Sequence, residues 1–178
     1  STSQTIASGT TLSFGSINSL SSSNLVFNQG TAGTEAVLES VGTFSRGVGT
    51  GTNQVSWAAN TSGGFAASSS PLVVTFGGSA SFGTNGIGNG TGQLYLNSTT
   101  ALSDVTVSGN LNLNGAVRTV NVFDNTTTTT DFATISGVIS GGVKLTEAIG
   151  SVLPFIARSS SVPRSEVGTL VATICSPA

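Results

Sequence analysis

Apolar residues alternate with period two along this chain, in short runs broken by clusters of Gly, Asn and Ser. Leu12 and Phe14, Leu25 and Phe27, Val55 and Trp57, Val73 and Thr75, and Leu94 and Leu96 each mark one face of a short strand. Val105 and Val107, Leu111 and Leu113, the series Val117, Thr119, Asn121 and Phe123, and Ile135 with the Val138-Ile139 pair continue the pattern. The intervening NQGTAGT, GVGTGTN, NTSGG and GTNGIGNGTG are turn signals. No window predicts an amphipathic helix of more than two turns. Within 143–158, VKLTEAIG reads as one helical turn or a capping element.

Many short strands allow a sandwich, a barrel or a solenoid. Composition chooses among them. Ser (29), Thr (26), Asn (13) and Gly (24) make up about half of the 178 residues, and only 7% are charged. Disorder is excluded, because 37% of the chain is hydrophobic, the net charge is −2 and mean hydropathy is +0.28. A sandwich or barrel solvates its outer face with mixed charge. A solenoid instead stacks like residues, and Thr, Ser and Asn ladders satisfy one another along the stack. The expected fold is therefore all-β: a right-handed parallel β-helix or β-solenoid in one elongated domain. At roughly 20 residues per coil the chain makes about nine coils. At about 4.8 Å per coil that is a rod on the order of 40 Å long.

The five Lys and Arg residues are scattered singly, which argues against nucleic acid. No apolar run approaches the length of a transmembrane helix, so membrane insertion of this segment is not expected. The chain begins at Ser1, shows no secretory signal and lacks Met, so it reads as processed or excised. Cys175 is the single cysteine and cannot form an internal disulfide.

Catalytic residue types are scarce. Histidine is absent, which removes Ser-His-Asp and Cys-His chemistry and most zinc sites. Lys144, the only lysine, sits in an expected turn and reads as solvated. Asp124 and Asp131 flank a run of threonines, and two carboxylates about 5–9 Å apart can serve as acid and base on a glycoside. Asp is equally a common turn residue, and the acids here are sparse. GTNGIGNGTG has the glycines of a solenoid calcium motif but no Asp, and no phosphate-binding loop occurs. Neither a metal nor a cofactor is expected. Thr126 to Thr130 invites an ice-binding reading, but that needs Thr at one position of successive coils, so the run reads as a polar loop or edge. Phe14, Phe27, Phe76, Phe82 and Phe123 read as core, whereas Trp57 and Tyr95 are the aromatics available for stacking on a glycan. Trp57 is the ligand candidate, because large aromatics are seldom fully buried. The sequons at Asn60, Asn89, Asn97 and Asn125 are the number this composition produces by chance.

From about residue 10 to 142 the phrases fall in a recognisable order. TLSFGSINSLSSSNLVFNQG, AVLESVGTFSRGVGTGTNQVSWAANTSGGFAA, LVVTFGGSASFG, GQLYLNSTTALSDVTVSGNLNLNGAVRTVNVFDN and ATISGVISGG together resemble the bacterial autotransporter-associated β-strand repeat family. The resemblance implies a right-handed parallel solenoid, secretion to the cell surface or medium, and a stalk, adhesin or matrix role. After ISGG the pattern departs, and Pro154, Pro163 and Pro177 interrupt the last stretch of the chain. The division is a repeat region over 1–142 and an atypical tail over 143–178, a candidate cap or assembly element.

Three functions are expected, in descending order. The first is a non-catalytic extracellular structural or adhesive module, with a glycan or a cell surface as ligand. The second is a subunit that self-associates into filaments through solenoid ends or terminal strands. The third, ranked last, is a polysaccharide-acting β-helix enzyme.

Overall fold

The computed structural model describes residues 3–30, 34–78 and 80–141, and the backbone of 144–149 and 172–174. In chain order the strands are β1 (Gln4–Ala7), β2 (Thr10–Ser13), β3 (Leu25–Asn28), β4 (Ala36–Ser45), β5 (Gly47–Val48), β6 (Gln54–Trp57), β7 (Gly63–Thr75) and β8 (Ala80–Ser81). They continue as β9 (Leu94–Leu96), β10 (Val105–Val107), β11 (Leu111–Asn112), β12 (Val117–Val122), β13 (Ala133–Ile135), β14 (Ile139–Ser140), β15 (Lys144–Ile149) and β16 (Ala172–Ile174). A single 3-10 turn, Ile17–Ser19, is the only helical element among the described residues, so none of them forms a helix able to cross a membrane.

The chain is a β-solenoid, and every strand ladder is parallel except β13–β16. One face stacks β2, the first half of β4, the first half of β7, then β9, β12 and β15. A second stacks the latter halves of β4 and β7, then β10 and β13. Shorter ladders complete the coils: β1, β3 and β6 with β5 beside it, and β8, β11 and β14. The two long strands turn the corner between the first two faces and resume their pairing beyond it. There Ser40 and Gly42 of β4 face Ala67 and Leu72 of β7, so Ser68–Pro71 bulge outward.

The coils are longer than expected. Gln4 pairs with Leu25, 21 positions on, whereas Leu72 pairs with Val105, 33 positions on. The chain therefore makes about five turns instead of nine. Its stack is on the order of 25 Å tall. Loops such as 97–104 add residues to a coil without adding rise.

The interior is a stack of apolar ladders. Leu38, Phe65 and Leu96 occupy one register column, and Val74 and Val107 another, all buried. Rings fill the middle: Phe27 lies 5.2 Å from Trp57 and 5.4 Å from Phe65, and Phe44 lies 4.7 Å from Phe65. Corners require left-handed backbone, and every non-glycine residue described with positive φ is an asparagine: Asn53, Asn60, Asn85, Asn97 and Asn114. Asn tolerates that region because its short side chain bonds the local backbone.

Two details of strand phase differ from the sequence reading. In LVVTF the buried residues are Leu72, Val74 and Phe76, whereas Val73 and Thr75 look outward, half-buried. In 117–123 the core positions are Val120 and Val122, while Val117 is 56% exposed. The parallel ladder also runs past Gly142. Within VKLTEAIG, Lys144–Ile149 form strand β15 along β12 in place of a helical turn, so the described ladder continues past the boundary at 142. Beyond it, β16 runs antiparallel along β13. The remainder of 143–178, with Cys175 and the three prolines of the tail, lies outside the described residues.

Candidate functional site

The polar side chains that sequence reasoning singled out come together only in part. Trp57 is 2% exposed, its Nε1–H donates to the Gly63 carbonyl at 3.0 Å, and its ring packs inside the solenoid against Phe27 and Phe76. It is a core residue, closed to a glycan on the outside. The size of the ring pointed to partial exposure, but the interior of this solenoid is wide enough to hold it. Tyr95 is buried as well, its hydroxyl accepting from Gln29 Nε2 at 2.8 Å and its ring edge-on to Phe123.

Tyr95 belongs to a second, smaller apolar cluster with Val37, Ala66, Ala101 and Phe123. These residues lie on the outer side of the first face, back to back with the main core. The segment 97–102 closes over them, and Glu39 holds it there. The Glu39 carboxylate accepts from Ser98 Oγ at 2.8 Å and Thr100 Oγ1 at 2.6 Å, and Glu35 accepts from the Thr99 N–H at 2.9 Å. Sequence reasoning passed over Glu39. The signal was an acid inside the apolar strand AVLESV, where a buried charge needs hydrogen-bond partners.

Asp124 and Asp131 are neighbours at a corner. Asp124 is half-buried and Asp131 is 3% exposed. Asp131 Oδ2 accepts from the Asn125 backbone N–H at 2.9 Å and from Asn97 Nδ2 at 3.2 Å. Burial pushes the Asp131 carboxyl above the usual aspartate range; the backbone N–H groups of Asn125 and Asp131 oppose that shift, and the charges of Asp124 and Asp104 add to it. Asn125 ties the same corner, donating from Nδ2 to Ala101 O at 2.7 Å and accepting from Thr127 Oγ1 at 2.7 Å. The threonine run itself is a loop, in which Thr130 Oγ1 donates to Leu102 O at 2.9 Å. The enclosed carboxyl joins the segments of Asn97 and Asn125 to its own.

The two arginines whose side chains are described act in the same way. Arg46 donates from Nη1 to Ser23 O at 2.9 Å and from Nη2 to Ser21 O at 2.6 Å, with its guanidinium 5.6 Å from the Phe44 ring centroid. Burial lowers its pKa. Arg118 donates from Nε to Leu113 O at 3.1 Å and from Nη1 to Gly90 O at 2.8 Å. Each fork satisfies loop carbonyls that no ladder reaches. Among the described residues no three His, Cys, Asp or Glu side chains gather into a metal-binding group. Lys144 is described by its backbone alone, as the first residue of β15.

The outer side of the second face carries the regular surface. Thr43, Val73, Thr106 and Thr134 share one register column. Ser45 and Thr75 pair two positions further on, where Ser108 and Ser136 extend the next strands. Threonine recurring at one register position, three times in four coils, is thus found here rather than at 126–130. These two columns hold hydroxyls and one valine, and no charge. No protein-family model matches the chain, and neither does any curated protein or solved structure.

Proposed function

We propose that the chain is a non-catalytic structural or adhesive module of a bacterial surface or secreted protein, in keeping with its resemblance to the autotransporter-associated β-strand repeats. One observation carries this reading. The polar groups best placed for chemistry, Glu39, Arg46, Arg118 and Asp131, are buried or bonded to the chain's own loops and corners. What faces solvent on the second face is a charge-free array of hydroxyls with one valine, suited to contact with a glycan or a cell surface.

Incubation with a panel of polysaccharides tests it, scored both for retention on the solid polymer and for release of reducing ends. Retention without release is the expected result. Release that disappears in the Asp124→Asn/Asp131→Asn double variant would establish an enzyme instead.

A second reading, a subunit of a self-assembling filament, is favoured by a different observation. In the described ladders β1 pairs only with β3 and β2 only with β4, and residues 1–34 include no charged side chain. Edge strands are usually guarded by charge, proline or a covering segment. At the opposite end β16 covers β13, and Glu147 takes the register position of the core residue Val120. Electron microscopy of the concentrated protein after prolonged incubation decides it: filaments support assembly, and monomers alone exclude it.

A further inference from the structure

At the corner where β9 and β12 end and β13 begins, Asn97 and Asp131 form half of a carboxyl–amide pair. Asn97 is fully buried and Asp131 nearly so. Asn97 Nδ2 donates to the Asp131 backbone carbonyl and to Oδ2. Those bonds fix the amide orientation, since turning it over would set two oxygens against each other. The atoms left over are Asn97 Oδ1 and Asp131 Oδ1. Both are buried, and neither has a hydrogen-bond donor. An ionised carboxylate and an amide oxygen are both acceptors, so this corner lacks a hydrogen. A buried acceptor left without a donor loses its bonds to water and gains nothing in return.

Among the described residues no compensating positive charge is bonded to this corner. Asp124, on the segment after β12, and Asp104, before β10, both add negative potential at Asp131. On the β9 side the chain continues as Ser98, Thr99 and Thr100, uncharged and bonded to Glu39 and Glu35. The described arginines are spent on other carbonyls: Arg118 on Leu113 and Gly90, Arg46 on Ser21 and Ser23.

We propose that Asp131 carries a proton in the folded protein, and that its Oδ1–H donates to Asn97 Oδ1 and completes a two-limbed acid–amide clasp between successive coils. One proton, taken from solvent on folding, satisfies both orphaned oxygens and removes a buried charge from beside two other carboxylates. Desolvation acts in the same direction and outweighs the backbone N–H bonds that favour the ionised form, raising the carboxyl above its ordinary range. The linkage has a definite sign. A folded-state pKa above the unfolded one gives stability that is full below the ordinary aspartate range and is lost as pH rises through the raised value. The clasp is therefore an acid-tightened latch on the last coils, independent of whether the module binds a surface or builds a filament.

Asp131→Asn is the test, because an amide at this position donates from Nδ2 to Asn97 Oδ1 without needing a proton. Thermal unfolding of both proteins is followed from about pH 4, near the ordinary aspartate pKa, to about pH 8. The wild type is expected to lose on the order of 5 °C more than the variant across that span. The carboxyl ¹³C resonance of Asp131, identified by its loss in the variant, is expected to report a protonated acid well above the ordinary range. This measurement on the wild type stands even if the variant fails to fold. An ionised Asp131 throughout the span, as a bridging water would leave it, overturns the proposal. Equal pH dependence of the two proteins also overturns it. So does a rise in wild-type Tm on adding calcium that the variant lacks, because a cation would then occupy the place of the proton.

Discussion

Phe65→Ala is expected to lower the free energy of unfolding by about 3–5 kcal/mol, the cost of truncating a phenylalanine in a packed core. Phe65 is 0% exposed and sits where successive coils and different faces meet. Its ring lies 5.4 Å edge-on from Phe27 of β3, 4.7 Å from Phe44 of β4 and 6.0 Å from Phe76 after β7. In the ladder it stands between Leu38 and Leu96. None of these neighbours can move inward without leaving its own strand, so the cavity stays open. Urea unfolding measures the loss, with an unchanged m-value as the sign that the folded state is otherwise intact. A loss below about 1 kcal/mol would show that the interior repacks freely. Leu102→Ala provides the contrast: its exposed side chain should be worth less than about 0.5 kcal/mol.

Gly64→Ala is expected to cost as much through a different cause, on the order of 4 kcal/mol or more. A Cβ at Gly64 would stand 1.7 Å from the carbonyl oxygen of Tyr95 and 2.6 Å from its carbonyl carbon. Both belong to the backbone of β9, the next strand in the ladder, and backbone cannot rotate out of the way. The methyl group must push β9 off β7, opening the core at Leu94 and Leu96 and uncovering the outer cluster around Tyr95. Hydrogen exchange at the amides of β9 should accelerate along with the loss of stability. Gly9→Ala serves as the reference. There φ is +67° but the space is empty, so only the left-handed backbone penalty of about 1–2 kcal/mol applies. If the two alanines cost the same, the close approach of β7 and β9 is not what requires glycine at 64.

Strand identity and turn chemistry were legible in the chain because they are local. Val105 with Val107 alternates cleanly about Thr106, and Leu25 with Phe27 and Leu94 with Leu96 are likewise buried in the phase read from the sequence. Phase was ambiguous where both faces of a strand carry apolar residues. LVVTF offers Val73 as readily as Leu72 and Val74, and only the neighbouring coils decide which side meets the core. In VRTVNVF the outer cluster claims Phe123, so the strand is apolar on both sides for a reason that lies in the covering loop. Coil length is a long-range property. Nothing local marks 97–104 as a lid that lengthens its coil instead of a strand that starts another. The segment from Lys144 carries a weak helical signal, which pairing along β12 overrides.

The candidate site was harder to read. Asp131 and Trp57 stood out as chemical types, but their burial depends on segments many positions away. Asn97, which makes the Asp131 corner unusual, looked like one sequon among several. The ice-binding test sought threonine at one position of successive coils, and the column from Thr43 to Thr134 comes near to it, interrupted by Val73. It became visible only when register replaced spacing.

The corner-turning strands β4 and β7 also bear on mechanics. Bonds between coils in a solenoid run along its axis, so a pull on the two ends loads them in series and peels turns away from the termini. Most strands here offer only two to six residues of ladder to each step of that peeling. β4 and β7 pair on two faces, with four residue pairs on each side of the bulged bend. A fracture advancing from either end would arrest at that pair, and the middle of the module would be the last part to give way under tension.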